Sequence, residues 1–330
     1  MGQIYGIDLA SEKFDVSFVD ERGKAKHIVV KNIRTQVERF LDNLPEDAHI
    51  VAEHTGVYGD LLLLEANIRG TAISYVSGYE IRHRMGLVRG KSDPIDASRI
   101  REYGERYHDI LKQSQFPSES LYKLRELYAL RRLLVQQRKQ LKALIKGDKH
   151  RPFSCEKAVA LKEKILKEYS DKICEIETEL EIIINNDAEL KQTYLIAQSV
   201  PGIGPVTAIE LIIKTGNFKR VSTAKKCATL AGISPWPNAT GKSDKGSHVS
   251  CMGDKELKSL LFMCARSAIQ CFEKMRIYKM KKYDVEKKHF FLVLNNVANK
   301  LLAILYALIK KGEMYNPTYL PRDPRLKLVN

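Results

Sequence analysis

The chain has one tryptophan in 330 residues, and its six cysteines (155, 174, 227, 251, 264, 271) include no Cys-x-x-Cys pair. They do not alternate with histidine at ligand spacing either, which excludes a structural zinc site. They read as reduced core thiols of a cytoplasmic protein. The opening run MGQIYGIDLA lacks the basic, apolar and small-residue regions of a signal peptide. Gly6 stands where myristoylation prefers serine or threonine. A clean membrane span is missing too. The longest apolar stretch, FFLVLNNVANKLLAILYALI (290–309), carries Asn295, Asn296, Asn299 and Lys300, which are costly in lipid, so it reads as a buried helix and no membrane partner is expected. Acid is in short supply as well: 40 Asp and Glu face 55 Lys and Arg, a formal net charge of +15 at pH 7. That excess favours a polyanion, with nucleic acid as the default partner.

Apolar residues are plentiful at 44%, and the length suggests about two domains. QIYGIDLA, KFDVSFVD and AKHIVVKN read as three strands, followed by a helix over 33–44. HIVAEH is a buried strand, YGDLLLLEANIRG a helix closed by Gly70, and TAISYVS another strand, which together make an α/β pattern with a mixed sheet. From about 118 to 187 the pattern changes to a helical hairpin. Its seam is Leu127, Leu130, Leu134, Leu141 and Leu144 on one arm and Leu166, Tyr169, Ile173, Ile176, Leu180 and Ile183 on the other. GDKHRPFS is the turn, and Lys139, Lys142, Lys146, Lys149, His150 and Arg151 near the tip could grip phosphate or simply be solvated. Beyond 193 a mostly helical region begins with SVPGIGPVTAIELI. Gly202 and Gly204 there make either a helix–helix corner or a phosphate cradle of the helix-hairpin-helix kind. GISPWPNATGKSDKGSHVS reads as a loop, and two long helices finish the chain.

Four acids stand out against the basic background. Asp8 lies among apolar residues on a strand expected to be central, where an unpaired carboxylate is costly. Glu53 ends another core strand. In GKSDPIDASRI, Asp93 reads as a helix N-cap, Pro94 as the first helical residue and Asp96 as the third, with the two acids on one face. Each has a plainer reading: a structural aspartate, a helix-start acid, a cap. Together they form an all-oxygen donor set suited to Mg²⁺ or Mn²⁺. Two such ions, ~3.5–4 Å apart, serve phosphodiester chemistry. A nuclease or DNA recombinase needs this combination of metal-binding acids and basic surface, with Lys91 and Arg99 flanking the acids as backbone contacts.

GIDLASEKFDV, EHTGVYG and KSDPIDASR resemble the motifs of the DEDD-type insertion-sequence transposases, the family that includes the Piv and MooV invertases. PGIGPVTAIELI, LAGISP, TGKSDKG and GDKELKSLL resemble that family's C-terminal transposase domain, in the same order. The resemblance implies three parts: a RuvC-like, RNase H-type α/β domain (1–115), a coiled-coil hairpin for oligomerisation or RNA contact (116–192), and a mostly α C-terminal domain (193–330). It also implies Asp8, Glu53, Asp93 and Asp96 as metal ligands and catalytic residues, DNA ends and target as substrates, a homodimer or homotetramer, and a bridge RNA transcribed from the element.

One departure stands out. The family's nucleophile is a serine in a Ser-Gly motif, whereas this chain has Thr240–Gly241, with Ser243 two residues further on and Lys242 and Lys245 beside them. Threonine offers the same hydroxyl, though its methyl restricts rotamers. The expectation is therefore a transposase that makes a covalent hydroxyl–DNA intermediate through Thr240 or, failing that, Ser243. The alternatives are a RuvC-like Holliday-junction resolvase and a non-catalytic nucleic-acid-binding scaffold. An ATP-using enzyme of the actin superfold would need a second glycine-rich phosphate turn after an acidic strand, which the sequence lacks.

Overall fold

Alternating apolar residues build the sheet of the first unit. Strands β1 (Ile4–Leu9), β2 (Lys13–Val19) and β3 (Ala25–Lys31) form an antiparallel meander. Helix α1 (Arg34–Asp42) leads to β4 (His49–Glu53), α2 (Asp60–Arg69) and β5 (Ala72–Val76). Gly70 closes α2 at φ 71°, a left-handed conformation that glycine adopts at little cost. The order across the sheet is β3-β2-β1-β4-β5, with β1, β4 and β5 mutually parallel, so β1 is central. Helices α3 (Gly78–Met85) and α4 (Asp93–Arg106) complete the unit. The computed structural model describes residues 2–86, 92–148, 150–153, 155–240, 243–249 and 252–318, without the side chains of 237–248.

The two faces of this sheet are covered differently. Tyr5, Ile7, Leu9, Phe14, Val16, Ile50, Ala52 and Ile73 pack with Val37, Phe40, Leu41, Leu62 and Ala66 of α1 and α2 in the larger core. The opposite face carries a thinner core of Ile4, Val51, Val76, Ile81, Ile100 and Tyr103, contributed by β1, β4, β5, α3 and α4. Strand side chains alternate, so Gly6 and Asp8 share the face of Ile4, and Glu53 shares that of Val51. Both acids therefore point to the side that α4 covers.

The chain divides into two compact units, residues 1–117 and 118–330. The second is mostly helical. Helices α5 (Glu119–Asp148, 30 residues) and α6 (Glu156–Asn186, 31 residues) form the hairpin. Its base shares a hydrophobic core with α7 (Ala188–Ser199), α8 (Pro205–Thr215) and α9 (Ala224–Leu230) through Leu121, Leu124, Tyr128, Ile176, Leu180 and Ile184. Of the expected seam on α5, Leu127 and Leu134 pack against this core, whereas Leu130 and Leu144 are exposed.

Two further expectations are corrected in this unit. The stretch read as a loop contains an antiparallel pair, β6 (Pro235–Thr240) and β7 (Ser243–Val249). Its prolines misled the reading, but a two-stranded ribbon tolerates proline because each strand is an edge. The two long closing helices are α10 (Lys255–Cys271) and α12 (Phe290–Lys311), with a short helix α11 (Glu273–Lys279) and a π-turn over Met280–Val285 between them. Helix α12 is apolar and long enough to cross a membrane, yet Val293, Leu294, Val297, Leu301, Leu302 and Leu305 are buried in the core. Asn295 and Asn299 donate to the Ile233 carbonyl at 2.9 and 3.1 Å, which accounts for these amides in an apolar helix. The cysteines are not all in the core. Cys227 and Cys264 are buried, but Cys155, Cys174 and Cys271 are exposed, while Cys251 lies outside the described residues.

Candidate functional site

Glycine decides how close α4 comes to β1. A methyl group on Gly6 would overlap the backbone nitrogen of Arg101 and the carbonyl of Ala97, and one on Gly104 would stand 2.8 Å from Ile4 and Val51. Helix and strand are therefore in backbone contact, and the first turn of α4 comes down beside Asp8. That turn starts one residue earlier than the sequence suggests. Ser92 is the cap residue, its carbonyl accepting from the Asp96 amide at 2.9 Å, and Asp93 is the first helical residue with Pro94 the second. Asp93 is thus released from capping, and its carboxylate accepts from the Lys13 ammonium at 3.0 Å.

The four acids share one electrostatic field. The Asp8 carboxyl is pushed up to about 6, first by burial and then by the charges of Asp96, Asp93, Glu53 and Asp15. Like charges gathered around a partly buried carboxylate disfavour its ionised form, as seen here. Glu53 is set by the chain that follows β5: Gly78, the first residue of α3, lies so close that a methyl there would overlap the Glu53 carboxylate.

Asp15 was not singled out in the sequence. It pairs with Asp8 across β1 and β2, is 3% exposed, and accepts from Lys13 at 3.1 Å. A His27 ring nitrogen lies 2.7 Å from its other oxygen. The signal was available in the register: a tight turn after Leu9 places residue 15 opposite residue 8. Lys13 bridges Asp15 and Asp93 and raises the local positive charge where the acids repel one another.

These oxygens fit a hard divalent cation in type and in charge, and the raised proton affinity of Asp8 marks a place where added positive charge is favourable. They do not already form a closed shell. Among the described residues, no three His, Cys, Asp or Glu side chains are drawn together closely enough to hold an ion as they stand.

Residues 195–280 match the IS116/IS110/IS902 transposase family, and residues 5–147 match the DEDD transposases of the IS110 type. The chain belongs to this transposase family. It is 26% identical over 327 residues to the pilin gene-inverting protein of Moraxella lacunata, covering 94% of this chain and 97% of that one. The Moraxella bovis counterpart matches to the same extent. The transposase of insertion element IS1328 from Yersinia enterocolitica is 28% identical over 146 residues, 44% of each chain. The five-stranded mixed sheet followed by a mostly helical remainder is consistent with an RNase H-like domain of the DEDD type.

The second half of this transposase presents its expected contacts unevenly. Thr240 ends β6 and Ser243 begins β7, paired across the ribbon, and the side chains of both, with that of Lys245, lie outside the described residues. Lys91, Lys149, Gly241 and Lys242 lie outside them altogether. Lys139, Lys142 and Lys146 are exposed on the distal half of α5. Arg151 is paired with Asp148 at 3.1 Å, and Lys162 reaches the same carboxylate at 2.7 Å, so part of the tip's charge is compensated. Arg99 donates to the Gly86 carbonyl at 2.7 Å, tying the end of α3 to α4. Gly202, at φ 98°, packs against Ala268 and Cys264 of α10, whereas Gly204 caps α8 with open space around its α-carbon.

Proposed function

We propose that Asp8, Glu53, Asp93 and Asp96 are the metal-binding tetrad of a RuvC-like domain that cuts DNA at the ends of a mobile element and at its target. The observation that carries this reading is Asp8, central in the sheet, with its carboxyl pushed up to about 6 by burial and by the other three acids. Mg²⁺ or Mn²⁺, bound as a pair, would supply Lewis-acid stabilisation to the attacking and leaving oxygens of the phosphodiester. The sheet fixes Asp8 and Glu53, while α4 brings Asp93 and Asp96 to them. The net charge of +15 draws the DNA backbone to the protein.

Strand transfer then uses a hydroxyl of the 193–330 domain, Thr240 or alternatively Ser243. Its oxygen bonds to phosphorus and loses its proton. The phosphorus–oxygen bond to the leaving sugar breaks, and that sugar oxygen takes up a proton. The product is a phosphoester between chain and DNA. Base pairing with an RNA from the element selects the sequence, and the protein holds backbone. The hairpin (116–192) joins copies of the chain into a dimer or tetramer, or contacts that RNA.

The test is strand cleavage of a plasmid carrying the element ends, with flanking RNA present. Asp8→Asn, Glu53→Gln, Asp93→Asn and Asp96→Asn should each lower the rate by roughly a hundredfold or more, the scale of losing one charge-stabilising group at a reaction centre. EDTA should abolish cleavage, and digestion should yield a nucleotide-bearing peptide that contains Thr240 or Ser243. Binding and cleavage indifferent to EDTA would replace this reading with that of a scaffold.

A further inference from the structure

Helix α3 has two faces of different character. Its inner face is fully engaged: Ile81 is buried in the core, Glu80 accepts from the Tyr103 hydroxyl at 2.9 Å, and Arg84 lies over the Tyr107 ring at 4.9 Å. Its outer face, at the i, i+3, i+4 positions, is Tyr79, Arg82 and His83, all exposed. Tyr79 is 59% exposed, and its ring stacks on that of His83 with centroids 5.7 Å apart and planes 24° from parallel. Arg82 is tethered through Nε to the Gly78 carbonyl at 3.1 Å, which holds its guanidinium along the same face. The Gly78 backbone lies against the Glu53 carboxylate, which puts the start of this helix beside the acid cluster.

A planar ring braced from behind by a second ring, with a guanidinium alongside, is the arrangement that single-stranded nucleic acid uses: one base stacks and the adjoining phosphate meets the cation. Duplex bases have their faces covered already. We infer that the Tyr79–Arg82–His83 face of α3 is a stacking subsite for an unpaired nucleotide of the DNA strand, next to the point where that strand is cut. The choice of DNA over RNA rests on the reading of the neighbouring acids as the cleavage site.

The full-length protein is titrated with a roughly 12-nucleotide single strand of DNA containing 2-aminopurine, at salt high enough to suppress backbone attraction. Wild type should quench the probe. Tyr79→Ala should bind about 5- to 100-fold more weakly and lose the quench, with the melting temperature unchanged because the ring is exposed. Tyr79→Phe should restore both, His83→Ala should give a smaller loss, and duplex DNA should bind Tyr79→Ala as it binds wild type. Equal affinity and quench in wild type and Tyr79→Ala would overturn the subsite, and so would dependence on Tyr79 for an RNA strand alone. Asp93→Asn separates the two readings. If it keeps the quench and loses cleavage, both hold. If it cleaves normally while Tyr79→Ala loses the quench, the cleavage assignment falls and the stacking subsite stands.

Discussion

The two faces of the N-terminal sheet are made from the same strands, yet they are built by opposite means. The face toward α1 and α2 is filled with large side chains: Phe14, Ile7, Ile50 and Ile73 are fully buried, and Phe14 meets Phe40 edge-on at 5.7 Å. The face toward α4 depends on what is left out. Gly6 lets the β1 backbone touch that of α4 at Ala97 and Arg101, Gly104 makes room for the Ile4 and Val51 side chains, and Gly78 makes room for the Glu53 carboxylate. Volume stabilises one face, and its absence on the other places the acids. A site that must hold several like charges needs its supports close and stiff, and backbone contact supplies that.

Substitutions on the two faces should therefore fail in opposite directions. The largest effect is expected from removing volume on the filled face: Phe14→Ala should lower unfolding free energy by about 3–5 kcal/mol in urea titrations. On the acid face, adding a single methyl with Gly6→Ala should cost about 1–3 kcal/mol and shift α4, whereas removing one from the filled face with Ile7→Val should cost only about 0.5–1.5 kcal/mol. If Gly6→Ala were neutral in the same titration, the backbone contact would not be what holds α4.

Charge gives the smaller effects. Asp8 has a folded-state affinity for protons raised to about 6, above its ordinary value near 3.8. The native state thus holds a proton that the unfolded chain releases between those values. Stability is fully present below the lower pH and is lost as pH rises through the upper one. Without divalent cation, wild type should lose about 1 kcal/mol across that window relative to Asp8→Asn, after allowance for solvent screening. Saturating Mg²⁺ should flatten the difference, and thermal melts at several pH values would show it. Lys13→Met should destabilise the fold mainly through Asp15, whose side chain is 4% exposed and then keeps His27, rather than through Asp93, which is 56% exposed. Melts of Lys13→Met that match wild type would show that His27 alone satisfies Asp15.

Much of the first unit was legible because strands announce themselves by alternation and Gly70 by its place after an apolar helix. That Asp8 and Glu53 share a side of the sheet follows from alternation along each strand together with the β1–β4 register, which pairs Ile7 with Ala52. Asp15 escaped notice because its meaning depends on a pairing register, and α3 because eight residues with one buried position show little periodicity. The α4 cap is Ser92 and not Asp93: serine and aspartate before proline both suit that position, and the bond from the Asp96 amide to the Ser92 carbonyl decides between them. The β6–β7 ribbon was hidden by its prolines and by polar side chains that a two-stranded element does not need to bury.

Everything proposed for the acids requires that Asp8, Glu53, Asp93 and Asp96 act on one bound cation pool, and Mn²⁺ binding measures this without reference to DNA. Titrations followed by electron paramagnetic resonance should show each of Asp8→Asn, Glu53→Gln, Asp93→Asn and Asp96→Asn weakening the same Mn²⁺ site, with Asp8→Asn the most damaging. Mn²⁺ affinity that is indifferent to these substitutions would contradict the account.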